Sequence, residues 1–170
     1  KLKYSTNEIK KINDEISSVL KKGYLTDGGL KLKNFEKNFA NKFNFKYSIG
    51  VNSGTSALEI ILRCLKIKNS KILIPAYTFV GSLLPVILLE NNYKFLDVSK
   101  RYLSPTFKEI KKNYTKDVKA IIIVHVNGII TNEIYKIKKF CKKNKIYLIE
   151  DCACAIGSSI NGEYAGSFGD

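Results

Sequence analysis

The chain has 170 residues, 45% of them hydrophobic, with 29 Lys plus Arg against 15 Asp plus Glu, for a net charge of +14. This is enough apolar material for one packed α/β domain, and no apolar run approaches the roughly 20 residues that a membrane-spanning helix needs. The positive charge is nearly all Lys, with Arg only at Arg63 and Arg101, whereas dedicated phosphate and base readers favour the planar fork of Arg, so a basic nucleic-acid-binding module is set aside as a primary role. Lys1 to Leu20 is amphipathic rather than a charged start followed by an apolar block, and does not read as a secretory signal. Cys64, Cys141, Cys152 and Cys154 lack the paired spacing of a zinc or disulfide framework, and with His125 as the single histidine no metal site is expected.

In chain order, Ser5-Thr6-Asn7-Glu8 has capping-box spacing and starts a helix that Gly23 stops after Lys22. Leu25-Thr26-Asp27-Gly28-Gly29 reads as a flexible loop. Phe35, Phe39 and Phe43 recur every four residues as a packing stripe on a second helix. Strands and helices then alternate: a strand Tyr47 to Val51, a helix Ser56 to Leu65, a strand Lys71 to Ile74, a helix Phe79 to Glu90 and a strand Lys94 to Asp97. A short helix Phe107 to Asn113, a long apolar strand Ala120 to Val126, a helix Glu133 to Lys143 and a strand Ile146 to Ile149 follow. Asn161-Gly162 marks a hairpin turn within Ser159 to Tyr164. Such alternation specifies an α/β fold with a mainly parallel sheet between helix layers. The order of its strands is not readable from the sequence.

Three strand ends carry the chemistry. Leu148-Ile149-Glu150-Asp151 is an apolar run that stops at an acid, which places Asp151 at the carboxyl edge of a buried strand. Val51-Asn52-Ser53-Gly54-Thr55-Ser56-Ala57-Leu58 is a small-residue turn opening a helix, whose free N–H groups and dipole suit a phosphate. Ile74-Pro75-Ala76-Tyr77-Thr78-Phe79-Val80 brings aromatic side chains to a third turn. A phosphate cradle, a stacking ring and a carboxylate for a protonated ring nitrogen are together what pyridoxal phosphate (PLP) requires. His125, which follows the most hydrophobic strand, reads more simply as a hydrogen-bonded structural residue orienting the Asn127-Gly128 turn than as a cofactor contact.

These segments, with His125-Val126-Asn127-Gly128 and Gly166-Ser167-Phe168-Gly169-Asp170, resemble in order and spacing the DegT/DnrJ/EryC1/StrS family of PLP-dependent sugar aminotransferases, from about Gly23 to the last residue. The resemblance implies a three-layer α/β/α domain of PLP-dependent transferase fold type I. It places Gly54, Thr55 and Ser56 on the cofactor phosphate, Phe79 over the pyridine ring and Asp151 at the ring nitrogen. Cys154 stands where relatives more often carry Gln, Glu or His near the ring oxygen, and a thiol is a weaker hydrogen-bond partner. Ala155-Ile156 also depart from the family pattern, with no physical account.

By the same resemblance, the lysine that forms the Schiff base follows shortly after Asp170, so no catalytic residue is expected within the chain. The chain starts at Lys1 and has no Met, and a fold type I enzyme needs more residues than 170. The expected organisation is a single partial domain, with N-terminal helices over 1–46 and the first part of the PLP-binding large domain over 47–170. The rest of the large domain and the small C-terminal domain would be missing. The implied activity is transfer of an amino group from a donor, expected to be glutamate, to a nucleotide-linked keto-sugar for surface polysaccharide or glycan synthesis. A cytoplasmic homodimer without membrane or nucleic-acid partners is expected. Two alternatives stand beside this: a sugar dehydratase of the same family, in which His replaces the lysine, and an inactive truncated fragment.

Overall fold

Ser5 opens the first helix, α1 (Thr6–Lys22): its Oγ accepts from the Glu8 N–H at 3.3 Å while Glu8 Oε2 accepts from the Ser5 N–H at 2.7 Å. This reciprocal box satisfies donors that a helix start otherwise leaves open, and Gly23, at φ 67°, closes the other end by donating to Val19 and Leu20. The computed structural model describes residues 3–23, 25 and 28–170. Of the expected loop, Thr26 and Asp27 lie outside the described residues.

Two units divide the chain, residues 1–50 and 51–170. In the first, α1 is joined by α2 (Leu30–Phe43), and Glu15 pairs with Lys31. The expected aromatic stripe packs along α2, with Phe39 lying 5.8 Å from Phe35 and 4.7 Å from Phe43 between ring centroids. On α1, by contrast, Ile9, Ile12, Ile16 and Leu20 form an apolar stripe that stays exposed. The expected strand Tyr47 to Val51 is absent. Among the described residues none pairs with this segment in a ladder, and Tyr47 and Ile49 are 75% and 80% exposed.

The second unit is a four-stranded parallel sheet of β1 (Lys71–Pro75), β2 (Asn92–Leu96), β3 (Val118–Val124) and β4 (Tyr147–Asp151), in the order β2-β1-β3-β4. The central strands are apolar on both faces, as a sheet covered on both sides demands. Ile72, Ile74, Ala120, Ile122 and Ile149 pack with Leu58 and Leu62 of α3 (Gly54–Cys64) and Val86 of α4 (Val80–Leu88). Leu73, Ile121, Ile123 and Leu148 face the other way, onto Ile110 of α5 (Phe107–Asn113) and Ile134, Ile137 and Cys141 of α6 (Ile134–Asn144). The result is the expected three-layer α/β/α arrangement. A short hairpin of β5 (Ser159–Ile160) and β6 (Glu163–Tyr164) turns on Asn161 and Gly162, both at positive φ, as the Asn-Gly signal specifies. Among the described residues no helix is long and apolar enough to cross a membrane.

Candidate functional site

The chain leaves β1 in one direction along the sheet and β3 in the other, so the two adjacent strands form a switch point. Their ladder ends at Leu73 and Ile121, although β1 runs on to Pro75 and β3 to Val124. The carboxyl ends therefore diverge, and a cavity of about 560 Å³ opens there. It is lined by Ser53, Gly54 and Thr55 before and at the start of α3, by Tyr77, Thr78 and Phe79 after β1, and by Gly81 and Ser82 of α4. Val124 and Val126 at the end of β3, and Asp151, Ala153 and Cys154 at the end of β4, complete the wall with Leu58.

At one end of the cavity stands the start of α3. Ser53 is its N-cap: the Oγ accepts from the Ser56 N–H at 3.1 Å, and the carbonyl takes the Ala57 N–H at 3.0 Å. The Gly54 and Thr55 N–H groups precede the first intrahelical donor, Ala57, so they are free to meet a ligand, as helix starts do with anions. A Cβ at Gly54 would meet no atom within 4 Å, so the space before this turn is open. Ser56 differs from its neighbours. Its N–H is spent on Ser53, its hydroxyl accepts from Ser53 Oγ at 3.0 Å, and it is not part of the lining.

Asp151, in the wall at the end of β4, has both carboxylate oxygens held: Ser82 Oγ donates to Oδ2 at 2.7 Å and the Ala153 N–H to Oδ1 at 3.1 Å. Phe79, the N-cap of α4, is 77% exposed, leaving its ring free of the core. Cys154 is exposed and lines the wall near Asp151. Thus Gly54, Thr55, Phe79, Asp151 and Cys154 come together, and Ser56 sits one layer behind. Tyr77, Thr78 and Ser82 were not singled out from the sequence as site residues. For Ser82 a signal existed, since it is a lone polar residue in the apolar run Val80-Gly81-Ser82-Leu83-Leu84.

Glu150, the other acid of the pair, points away from this cavity. Its Oε2 accepts from His125 Nε2 at 2.7 Å and the Gly166 N–H at 3.0 Å, and its Oε1 accepts from the Phe168 and Gly169 N–H groups at 2.7 and 2.6 Å. A carboxylate only accepts, so Nε2 carries the proton, and buried Nδ1 has no partner among the described residues. Burial alone would push Glu150 up, but the His125 and glycine N–H bonds outweigh it and hold the carboxyl below its ordinary value. His125 therefore has the expected structural character. Its carbonyl accepts the Gly128 N–H at 3.2 Å, though its ring serves Glu150 rather than the turn.

His125, Glu150 and Cys152 offer ligand atoms within 4.8 Å of one another. Each Glu150 oxygen is already saturated with donors, and burial, reinforced by the Glu150 and Asp151 charges, pushes the Cys152 thiol up to about 12. In this structure His125 and Glu150 are joined by hydrogen bonds to each other and to the Gly166, Phe168 and Gly169 N–H groups. Cys141, buried near the Asp170 charge, is also pushed up to about 12. Alkylation at pH 8, followed by mass spectrometry, is expected to label exposed Cys64 and Cys154 well before Cys141 and Cys152. Equal rates at all four would contradict the burial described.

The family model of the DegT/DnrJ/EryC1/StrS aminotransferase family matches residues 6–170. A GDP-perosamine synthase of Vibrio cholerae is 32% identical over 165 residues, covering 96% of this chain and 44% of that protein. The X-ray structure of an aminotransferase from Psychrobacter cryohalolentis superposes with a TM-score of 0.88 at 30% identity, covering 98% of this chain and 42% of the other. A GDP-4-keto-6-deoxy-D-mannose-3-dehydratase of Escherichia coli with bound hydrated PLP gives 0.87 at 28% identity, covering 99% and 44%. The chain spans under half the length of these relatives. With the family model matched across nearly its whole length, the chain belongs to the DegT/DnrJ/EryC1/StrS aminotransferase family.

Proposed function

We propose that residues 1–170 carry the cofactor-binding part of a PLP-dependent aminotransferase that moves an amino group, with glutamate as donor, onto a nucleotide-linked keto-sugar. The observation that carries this reading is Asp151, held at both oxygens at the carboxyl end of β4, in one cavity with the open N-terminus of α3. The lining fits the cofactor. Gly54 and Thr55 offer N–H groups and a hydroxyl to the phosphate, Phe79 an unburied ring to the pyridine face, and Asp151 a fixed carboxylate to the ring nitrogen. Cys154 stands near the ring oxygen. PLP bound there supplies an electron sink for a carbanion on the substrate.

Asp151 keeps the ring nitrogen protonated, and the α3 terminus orients the phosphate; neither moves the substrate proton. No lysine lines the cavity among the described residues, so the amine that carries the cofactor and shuttles the proton is assigned to a residue outside 1–170. The chain by itself would then bind without turning over. A cytoplasmic homodimer making precursors of surface polysaccharide or glycan is the setting we assign to the whole protein.

Titration of the chain with PLP, followed by absorbance and with pyridoxal as control, is expected to show saturable binding that needs the phosphate. Borohydride reduction and mass spectrometry are expected to find no single modified lysine. Absence of phosphate-dependent binding would overturn the cofactor reading, and one lysine labelled stoichiometrically within the chain would overturn the assignment of the amine. Likeness to the 3-dehydratase structure supports a second reading, dehydration of a keto-sugar. Product analysis with the whole protein, an amino-sugar against a deoxy-sugar, separates the two.

A further inference from the structure

Ser82 belongs to no segment matched above to a cofactor contact, yet it is buried and touches the central acid. Its hydroxyl has one proton. Because an ionised carboxylate can only accept, that proton points at Asp151 Oδ2, 2.7 Å away. The neighbouring Thr78 Oγ1, 2.9 Å from Ser82 Oγ, must then be the donor in that pair. The direction of the whole chain is fixed, from Thr78 through Ser82 to Asp151. The Ala153 N–H holds the other oxygen at 3.1 Å, so both ends of the carboxylate are pinned and rotation about either side-chain bond, Cα–Cβ or Cβ–Cγ, would break a charge-assisted bond.

Helix α4 is seated to make this possible. A Cβ at Gly81 would lie 2.6 Å from Thr55 Oγ1 and 2.8 Å from Phe79 Cδ1, so the first turn of α4 lies directly against the Thr55 side chain at the first turn of α3. The next residue, Ser82, is 2% exposed and reaches Asp151 from there. One helical turn thus touches Thr55 at the start of α3 and Asp151 at the end of β4.

We propose that Ser82 is a positioning residue for Asp151, with Thr78 orienting the Ser82 hydroxyl, so that the acid meets the cofactor ring nitrogen in one fixed rotamer. The proposal rests on the PLP reading, and its test separates the two. In the ligand-free chain, side-chain couplings measured by NMR should show one staggered Asp151 rotamer, Ser82→Ala should average it, and Ser82→Thr should restore it. An unchanged rotamer in Ser82→Ala overturns the proposal whether or not PLP binds. With PLP, Ser82→Ala should weaken binding about tenfold, the scale of a hydrogen bond to a charged group. Thr78→Val should give a smaller loss.

A double-mutant cycle then distinguishes positioning from plain structure. If Ser82 acts through Asp151, Ser82→Ala should add almost nothing to Asp151→Asn. Additive losses would show that Ser82 contributes independently of the acid, and the proposal would fall. Absence of PLP binding by the unsubstituted chain would defeat the cofactor reading alone, leaving the rotamer measurement to decide the role of Ser82.

Discussion

Replacing Glu150 by Ala is expected to cost about 3–5 kcal/mol of folding stability, the scale for removing one partner of a buried hydrogen-bonded pair. The loss has a specific origin. His125 Nε2–H and the N–H groups of Phe168 and Gly169 lose their acceptor where water has little access, since the side chain of Glu150 is 2% exposed, and the N–H of the exposed Gly166 loses it as well. Gln is a partial substitute, because its oxygen can serve two of the four donors while its amide group faces the other two. The pH dependence follows from the direction of the Glu150 shift. A carboxyl held below its unfolded value of about 4.3 contributes stability that is complete above that value and is lost as pH falls through the folded one. Denaturant titrations between pH 3 and 7 should therefore show an acid-side decline that is shallower in Glu150→Ala. Equal stability of the two proteins at pH 7 would refute the four-donor support.

Asp151→Asn is expected to leave the sheet folded while lowering PLP affinity by a factor on the order of 100, the loss that attends removal of one charge from a desolvated pair. The amide still accepts from Ser82 or Ala153 but carries no charge to keep the ring nitrogen protonated. In the whole protein the same change should strongly lower turnover, because the ring then withdraws electrons poorly. Circular dichroism and a PLP titration measure the two halves of this expectation. Unchanged affinity with wild-type turnover would remove Asp151 from the role assigned to it.

Much of this was legible in the chain because local rules and the tertiary fold agree. Ser5-x-x-Glu8 forms its box, Gly23 its cap and Asn161-Gly162 its turn, since each is fixed by contacts within a few residues. Asp151 could be placed because an apolar strand ending at an acid has one orientation in a covered sheet. What the sequence concealed were non-local facts. Tyr47 to Val51 has strand composition but no neighbour to pair with, and pairing is not encoded in the segment itself. Glu150 and Asp151 look alike in sequence, yet alternate faces of β4 send one to a buried turn and the other to the cavity. Ser82 needed the approach of α4 to the end of β4, which joins residues 69 apart in the chain.

The interrupted ladder between β1 and β3 also bears on the order of assembly. β1 meets β2 across one helix, and β3 meets β4 across one helix, whereas β1 and β3 join only after two helices and the intervening strand have been threaded between them. Closing that longer loop costs more chain entropy and is compensated by a ladder with a register shift and an early end. Each βαβ half closes the shorter loop, so pulse-labelled hydrogen exchange during refolding is expected to show β1–β2 and β3–β4 protected before the β1–β3 seam. The cavity straddles that seam, so a ligand bridging α3 and β4 would act as a late folding clamp.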